Sequence, residues 1–210
     1  MRGYFITFEG PDGAGKTTQI DLLSKYLLDK GLNVVVTREP GGTPISEAIR
    51  GIILDTNHSE MDPVTEMYLY AASRAQHVSQ LIAPALRQGK IVLCDRFVDS
   101  SIAYQGAGRG LGMKMVEEIN SAALQGVMPD ITLFFDIDPE KGLTRGRNRD
   151  RRADRLELEG IGFHRDVYEA FCRLCHMYPE RFRRINADGD IMEIHRQIIN
   201  LIEQLPKYGK

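Results

Sequence analysis

Short, continuous apolar runs alternate along this chain with longer segments of helical periodicity. The runs are rich in Val, Ile, Leu and Phe, and such runs are typical of strands covered on both faces of a parallel sheet. We therefore predict a sheet of five strands. They lie at residues 4–8, 34–36, 91–94, 131–137 and, as a shorter extended piece, 182–185.

The intervening segments carry apolar residues at every third or fourth position, which predicts amphipathic helices. Ile20, Leu23 and Leu27 form the first such pattern, and Gly31 ends it. Because strands and helices alternate, we expect a parallel α/β sheet with right-handed crossovers. The other predicted helices cover residues 45–53, 63–86 with a bend or restart near Pro84, 113–124, 163–178 and 194–205.

Composition and charge indicate a soluble protein, and we treat residues 1–210 as one domain. The hydrophobic fraction of 42% and the charged fraction of 27% are ordinary for a globular protein. The net charge of −2 gives no overall attraction to nucleic acid or to an acidic membrane. No apolar run reaches the roughly 18–20 residues that a spanning helix needs, and no signal-peptide pattern precedes the first strand. We expect a cytoplasmic location.

The three cysteines are too few, and too odd in number, for a disulfide framework. Cys172 and Cys175, followed by His176, match the short pattern of c-type haem attachment. The same stretch carries apolar residues at helical spacing, so we expect half-buried helical thiols instead. The glycine-dense stretch 106–112 is predicted to be a loop.

The residues that follow the first strand fit the phosphate-binding pattern G-x-x-x-x-G-K-[ST] in full. Its glycines let the backbone curl so that successive N–H groups face phosphate oxygens, and the dipole of the following helix adds positive charge. Lys16 is expected to reach the β- and γ-phosphates of a nucleoside triphosphate, and Thr17 to offer its hydroxyl to Mg²⁺. The predicted nucleotide-binding residues are Gly10, Pro11, Asp12, Gly13, Ala14, Gly15, Lys16, Thr17 and Thr18.

Asp95 and Arg96 come directly after the third strand. Catalytic groups of open parallel sheets gather at the carboxyl ends of strands, so Asp95 is expected where a carboxylate supports the Mg²⁺ shell. An arginine beside the metal suits a second, phosphate-bearing substrate, because its planar fork binds phosphate bidentately. A surface Asp-Arg pair is the simpler alternative.

Other segments offer further candidates for ligand binding. The glycine-containing turn at residues 37–43 either binds a ligand or merely turns the chain, and its chemistry alone favours neither. Arg50 and Arg74 lie on predicted helices, where a single arginine is more often solvated.

An arginine-rich run covers residues 145–155, and Arg145, Arg149 and Arg152 share one face of a helix by their spacing. The run could bind nucleic acid, although the net-acidic chain and the absence of interleaved aromatic residues argue against this. It could also be a solvated helix face. The third possibility is a mobile lid whose arginines neutralise charge on the transferring phosphoryl group.

Taken together, these motifs resemble those of bacterial thymidylate kinases over residues 4–205. Residues 37–42 (Thr-Arg-Glu-Pro-Gly-Gly) and 103–106 (Ala-Tyr-Gln-Gly) are specific to this family among nucleotide kinases. The resemblance also rests on residues 8–18, 71–74, 95–96, 129–130 with Leu133, and 154–155. It implies the three-layer α/β/α fold of P-loop NTPases, with an arginine-bearing lid at about residues 142–160.

The resemblance implies a thymine-binding set of side chains. Arg74 would hydrogen-bond a thymine carbonyl, and Tyr70 would stack on the base. Ser101 and Gln105 would read the base edge. Tyr104 would pack near the 2′-carbon of the sugar and disfavour a ribose hydroxyl.

Other family residues match positions near the phosphates. Arg96 corresponds to the arginine that clamps the dTMP phosphate, and Arg50 to a residue near the acceptor phosphate or sugar. Asp12 corresponds to the acidic residue of the phosphate-binding loop, and Arg149 to the lid arginine that reaches the ATP phosphates. The predicted catalytic set consists of Asp12, Lys16, Arg96 and Arg149, and Arg50 is predicted to bind substrate only.

The activity implied by the resemblance is transfer of the γ-phosphoryl group of ATP to dTMP, which yields ADP and dTDP. Mg²⁺ is the implied cofactor, and a homodimer is the implied assembly. Two alternatives stay open from the residues alone. One is a kinase for another nucleoside monophosphate, and the other is a P-loop ATPase that phosphorylates no metabolite.

Overall fold

The computed structural model describes residues 2–147 and 154–205. A five-stranded sheet with the order β2-β3-β1-β4-β5 forms the centre of the fold, and every pair of neighbouring strands is parallel. The predicted five-stranded parallel sheet is thereby confirmed. Its strands are β1 (Phe5–Glu9), β2 (Val34–Arg38), β3 (Ile91–Asp95), β4 (Ile131–Asp136) and β5 (Phe182–Asn186).

Helices connect successive strands and cover both faces of the sheet. The described helices are α1 (Lys16–Asp29), α2 (Pro44–Leu54), α3 (Pro63–His77), α4 (Ala83–Arg87), α5 (Val98–Ser101), α6 (Met113–Leu124), α7 (Pro139–Arg147), α8 (Ile161–Met177) and α9 (Ile191–Glu203). Two π-helical segments, Val78–Ile82 and Ile102–Gly108, continue α3 and α5. Among residues 2–147 and 154–205, no helix is both long and apolar enough to cross a bilayer.

The core consists of two hydrophobic clusters, one on each face of the sheet. Phe5, Val92 and Phe134 belong to the cluster on one face, and their strand neighbours Ile6 and Leu93 to the cluster on the other. This alternation follows from the two-residue period of a strand. Both faces of the sheet are covered, as the continuous apolar runs in the sequence predict.

Strand β2 is less buried than its three consecutive valines predict. It lies at the edge of the sheet, where β3 is its one neighbour among the described strands, and Val36 is 48% exposed. The sequence run resembles a central strand because valine favours any strand, and its position at the edge depends on the order in which distant segments pair.

The long helical region also differs in detail from the expectation. Its irregularity begins at Val78, before Pro84, as a π-helical segment in which the N–H of Ala83 bonds to the carbonyl of Val78. Proline lacks an N–H group and its ring crowds the carbonyl four residues earlier, so the preceding turn widens. The predicted loop at residues 106–112 is wrong in its first part, since Gly106 and Gly108 lie in a π-helical segment.

Candidate functional site

A cavity of about 250 Å³ opens at the carboxyl ends of β1, β2 and β3. Lys16, Arg74 and Arg96 all line it, so the cations predicted to bind two phosphorylated ligands share one space. Every residue predicted to bind the second substrate lines this cavity as well. These residues are Arg50, Tyr70, Arg74, Arg96, Ser101, Tyr104 and Gln105.

The phosphate-binding loop lies between β1 and α1. Gly10, Gly13 and Gly15 have φ angles of 131°, 75° and 87°, which side chains other than glycine rarely adopt. At Gly10 a Cβ would also lie 2.6 Å from the carbonyl oxygen of Phe135. The glycines therefore allow both the curl of the loop and its close contact with β4.

Only some members of the loop face the cavity. Asp12, Gly13, Gly15, Lys16 and Thr17 line it. Among the other predicted nucleotide-binding residues, Gly10, Pro11 and Ala14 are buried and Thr18 is exposed, and none of these four lines the cavity.

Lys16 begins α1 and turns its side chain back over the loop. Its Nζ donates to the carbonyl oxygens of Gly10 at 3.1 Å and Pro11 at 2.8 Å. Burial, together with the nearby charge of Arg96, lowers the pKa of Lys16 to about 8. A polyphosphate bound in the loop would favour the charged form of Lys16, which burial disfavours. The two carbonyl contacts hold the ammonium group close to the loop that would bind it.

Arg96 connects the phosphate-binding loop to the rest of the cavity. Its Nη1 donates to the carbonyl of Gly10 at 2.9 Å and to Oγ of Ser100 at 3.1 Å, and its Nη2 forms a 2.8 Å ion pair with Asp12. Its guanidinium carbon lies 4.9 Å from the centre of the Tyr104 ring. The backbone of Arg96 has a φ of 67°, a left-handed conformation that costs a non-glycine residue about 1–3 kcal/mol.

Asp12 is the anionic partner in this arrangement. Burial opposes its ionisation, but the charges of Arg96 and Lys16 and the hydrogen bond from Arg96 outweigh burial and hold its pKa well below the ordinary value. Asp12 is therefore a carboxylate at neutral pH. It orients the guanidinium fork of Arg96 towards the cavity.

Thr17 and Asp95 form the predicted metal-binding pair. The hydroxyl of Thr17 donates to Oδ2 of Asp95 at 3.2 Å, which joins the end of the loop to the end of β3. The other oxygen of Asp95, Oδ1, is buried and has no hydrogen-bond partner among the described residues. Hard oxygen donors are what Mg²⁺ prefers, and one carboxylate with one hydroxyl is a common protein contribution to its shell. These two residues therefore fit Mg²⁺.

Arg74 is held in place by hydrogen bonds that no sequence motif predicts. Its Nε donates to Oε2 of Glu39 at 2.8 Å, its Nη2 to Oγ of Ser101 at 3.0 Å, and its Nη1 to Oδ1 of Asn120. The other oxygen of Glu39 contacts Nδ1 of His77 at 3.0 Å. The turn after β2 thus has a role beyond reversing the chain, because Glu39 orients the buried arginine that lines the cavity.

Gln105 lines the cavity next to Tyr104 and is fully buried. Its Nε2 donates to Oε1 of Glu66 at 2.9 Å, while its Oε1 has no hydrogen-bond partner among the described residues. A buried acceptor without a donor costs about 1–3 kcal/mol. A ligand that brings an N–H group would remove that cost.

Arg50 and Arg38 add positive charge on the side of the cavity near α2. Nη1 of Arg50 donates to the carbonyl of Pro40 at 2.8 Å, and Arg38 forms a bidentate pair with Glu47 at 2.9 Å for each contact. Burial and the nearby Arg38 lower the pKa of Arg50. Arg38 also lines the cavity and was not predicted as a site residue, because the sequence marks it only as part of the turn at residues 37–43.

Glu9 lies beneath this cluster and was not singled out as a functional residue. Its two carboxyl oxygens accept from the backbone N–H of Phe97 at 2.7 Å and from Oγ of Ser100 at 2.5 Å. Burial and the neighbouring Asp99 raise the pKa of Glu9 to about 8. Through Ser100, which also contacts Arg96, this carboxyl group supports the cationic side of the cavity.

The arginine-rich run is described only at its two ends. Arg149 and Arg152 lie outside the described residues. Arg145 lies in α7 and contacts Asp188 and the carbonyl of Ala187, and it does not line the cavity. Arg155, at the other end, is buried and binds Glu66 and the carbonyl of Ile53.

Helix α7 packs directly on the phosphate-binding loop through a glycine. A Cβ at Gly142 would lie 2.7 Å from the carbonyl oxygen of Asp12. A Cβ at Gly146, one turn later, would find its nearest atom, the backbone nitrogen of Gly13, at 3.9 Å. The backbone of the loop is therefore in close contact with the helix that leads into the predicted lid.

The Gly142→Ala variant is expected to lower kcat/KM for the nucleoside triphosphate by about 10- to 100-fold, because a loop displaced by even 1 Å misaligns the bound phosphates. Steady-state kinetics with varied nucleotide would measure the change. Gly146→Ala is the matched control, since it makes the same gain in helix propensity without the contact. Equal kinetics of the two variants would show that the contact is not important.

The chain is similar to thymidylate kinases both in sequence and in structure. Residues 8–198 match the family model described as thymidylate kinase. The chain is 50% identical over 207 residues to a thymidylate kinase from Pelobacter propionicus, covering 96% of this chain and 94% of that protein. It is 50% identical over 204 residues to a thymidylate kinase from a Thermoanaerobacter species, strain X514, covering 97% and 99%.

A solved structure is also similar over almost the entire chain. The crystal structure of a thymidylate kinase from Ehrlichia chaffeensis has a TM-score of 0.79 and 35% sequence identity. The comparison covers 97% of this chain and all of that chain. The similarity therefore includes the strand ends and helices that build the cavity.

Proposed function

The chain belongs to the thymidylate kinase family, and we propose that its cavity holds the two substrates of the family reaction end to end. The enzyme transfers the γ-phosphoryl group of ATP to dTMP, which gives dTDP and ADP in a step of dTTP synthesis. The observation that carries the proposed arrangement is the common cavity of Lys16, Arg74 and Arg96. The roles of individual residues follow from their contacts.

The phosphate-binding loop is the proposed site of the ATP phosphates. Its backbone N–H groups and the N-terminus of α1 would bind the phosphate oxygens, and Lys16 would move from the carbonyls of Gly10 and Pro11 to the β- and γ-phosphates. Thr17 and Asp95 would hold Mg²⁺. When bound, this ion supplies positive charge that neutralises the phosphate oxygens and helps to align them.

Arg96 is the proposed clamp for the dTMP phosphate. It lies between the phosphate-binding loop and the part of the cavity proposed for dTMP. Asp12, Ser100 and the Tyr104 ring fix its orientation. Arg50 is close enough to the same cavity to add a second positive charge. Together the two arginines would bring the acceptor phosphate towards the donor against the repulsion of two polyanions.

The base edge of thymine fits the polar groups at the other end of the cavity. Thymine offers a carbonyl acceptor at O4 and an N–H donor at N3. Arg74 supplies the donor, and the unpartnered Oε1 of Gln105 supplies the acceptor. Ser101 accepts from Arg74, so its own hydroxyl proton is available to the base, while Tyr70 would stack on the ring and Tyr104 would face the sugar.

The chemistry needs no general base. The attacking oxygen belongs to a phosphate whose second pKa is near 6, so it is already largely anionic at neutral pH. We propose direct in-line transfer without a covalent enzyme intermediate. Closure of the lid at residues 142–160 would exclude water and bring Arg149 to the transferring group.

A panel of nucleoside monophosphates, each assayed for ADP release with Mg-ATP, tests this proposal. We expect dTMP to be the best substrate. We expect dUMP to be poorer by about 10- to 200-fold in kcat/KM, because one methyl group is worth about 1–3 kcal/mol. Equal turnover of all monophosphates would exclude selective base recognition. ATP hydrolysis that dTMP does not stimulate would favour a P-loop ATPase without a metabolite substrate.

We also propose that the protein is a cytoplasmic homodimer. Apolar side chains are exposed on the adjacent helices α2 and α3, namely Ile45, Ile52, Val64 and Tyr68. A second copy would cover this surface. Light scattering should give twice the chain mass of 23.7 kDa for the natural protein, and a lower mass for Tyr68→Glu. Met177→Glu, an exposed change on α8, is the control, and an unchanged mass of Tyr68→Glu would exclude this interface.

A further inference from the structure

Glu66 is a fully buried carboxylate on α3 that does not line the cavity and belongs to none of the recognised motifs. Its Oε1 accepts from Nε2 of Gln105 at 2.9 Å and from Nε of Arg109 at 3.3 Å. Its Oε2 accepts from Nη2 of Arg109 at 3.1 Å and from Nη2 of Arg155. Both oxygens are thus occupied by donors, which belong to the π-helical segment at Gln105 and its C-cap Arg109 and to the distant Arg155.

This contact fixes the orientation of the Gln105 amide. A carboxylate paired with two guanidinium groups has no proton to donate, so the atom of Gln105 that faces it must be the NH₂ group. The amide oxygen must then lie on the other side. It is buried in a residue that lines the cavity, and it has no partner among the described residues.

We propose that Glu66 is a positioning residue that sets the base specificity of this enzyme through Gln105. By holding the amide with its oxygen towards the ligand, Glu66 makes the site accept pyrimidines that carry a proton on N3. Thymine and uracil have that proton. Cytosine presents a lone pair at N3, and two acceptors that face each other repel. The inference rests on the proposed placement of the base beside Gln105.

Glutamine at position 66 would keep the shape of the side chain and change its hydrogen-bonding polarity. Arg155 and Nη2 of Arg109 both need an acceptor at the position of Oε2, so the new amide oxygen would take that position. The new NH₂ group would face Gln105, whose amide would turn so that Oε1 accepts from it, and Nε of Arg109 would lose its 3.3 Å acceptor while Nη2 keeps its own. Nε2 of Gln105 would then face the cavity and oppose the N3 proton of thymine.

The test is the Glu66→Gln variant, assayed with dTMP and with dCMP. We expect KM for dTMP to rise and kcat/KM for dTMP to fall by about 10- to 100-fold, with KM for ATP nearly unchanged. We expect the ratio of kcat/KM for dCMP to that for dTMP to rise by at least about 10-fold. Arg74 still donates towards the 4-position, so dCMP does not become the preferred substrate.

Two further variants separate positioning from a structural effect. In a Gln105→Met background, Glu66→Gln should leave the dCMP to dTMP ratio unchanged, because the residue through which Glu66 acts is gone. Glu169→Gln, at an exposed ion pair with Arg173 on α8, is the control for the same chemical change elsewhere. A purely structural role of Glu66 would lower activity towards both nucleotides equally in either background.

The outcomes also distinguish this inference from the proposed function. If the natural enzyme fails to phosphorylate dTMP, the proposed function is wrong. If it phosphorylates dTMP and Glu66→Gln keeps the natural ratio of the two substrates, only the role of Glu66 is wrong. Should Glu66→Gln fail to fold, Glu66→Asp keeps an acceptor-only group and should preserve the ratio, and a raised ratio would overturn the inference.

Discussion

The Lys16→Ala variant is expected to lower kcat by about 10³-fold or more at saturating ATP and dTMP. The ammonium group is the one cation of the phosphate-binding loop, and it lies within hydrogen-bond distance of two loop carbonyls beside the cavity. Removing a single preorganised donor from a transition state costs about 10²–10³-fold. A full positive charge facing a polyphosphate should cost at least as much. ADP release would measure the loss.

Lys25→Ala provides the control for Lys16→Ala. Lys25 is exposed on the same helix, α1, and makes no contact with the cavity. We expect Lys25→Ala to retain the kinetics of the natural enzyme. If Lys16→Ala kept more than about a tenth of the natural kcat, the loop would not be the site of the transferred phosphoryl group.

The second large effect is expected for Arg96→Ala, which should lower kcat/KM for dTMP by about 10³-fold. The substitution removes a charge-assisted fork and leaves Asp12 without its 2.8 Å ion-pair partner. KM for dTMP should rise much more than KM for ATP, because the ATP phosphates keep Lys16 and the backbone amides.

Arg96→Lys separates the charge of Arg96 from its geometry. Lysine keeps the positive charge but loses the planar fork with which Arg96 spans Gly10, Ser100 and Asp12 and could bind a phosphate bidentately. We expect its kcat/KM for dTMP to lie between those of the natural enzyme and Arg96→Ala. A larger rise in KM for ATP than for dTMP in Arg96→Ala would place this residue on the donor side instead.

Much of the fold and part of the site could be predicted from the sequence because their signals are local. The phosphate-binding loop is a contiguous motif between a strand and a helix, and the helix at Met113–Leu124 has clear periodicity. Asp95 and Arg96 follow a buried strand, and parallel strands end at the same edge of a sheet. That rule predicts that both residues lie beside Lys16, where the structure has them.

The remaining features depend on contacts between residues that are far apart in the sequence. Nothing near Glu66 in the chain indicates that it meets Gln105, Arg109 and Arg155. The sequence around Gly142 indicates only a helix, and its close approach to the carbonyl of Asp12 is visible only in the structure. These contacts follow from how α3, α7 and the π-helical segment after α5 pack, which periodicity does not determine.

The stereochemical course at phosphorus tests end-to-end binding of the two substrates, because such binding in one cavity allows a single in-line displacement. ATP whose γ-phosphorus is made chiral with oxygen isotopes or sulfur would be incubated with dTMP, and the configuration of the dTDP product determined. We predict inversion, the result of one displacement with attacking and leaving oxygens on opposite sides. Retention would require two displacements through a phosphorylated enzyme and would exclude direct transfer between the two bound substrates.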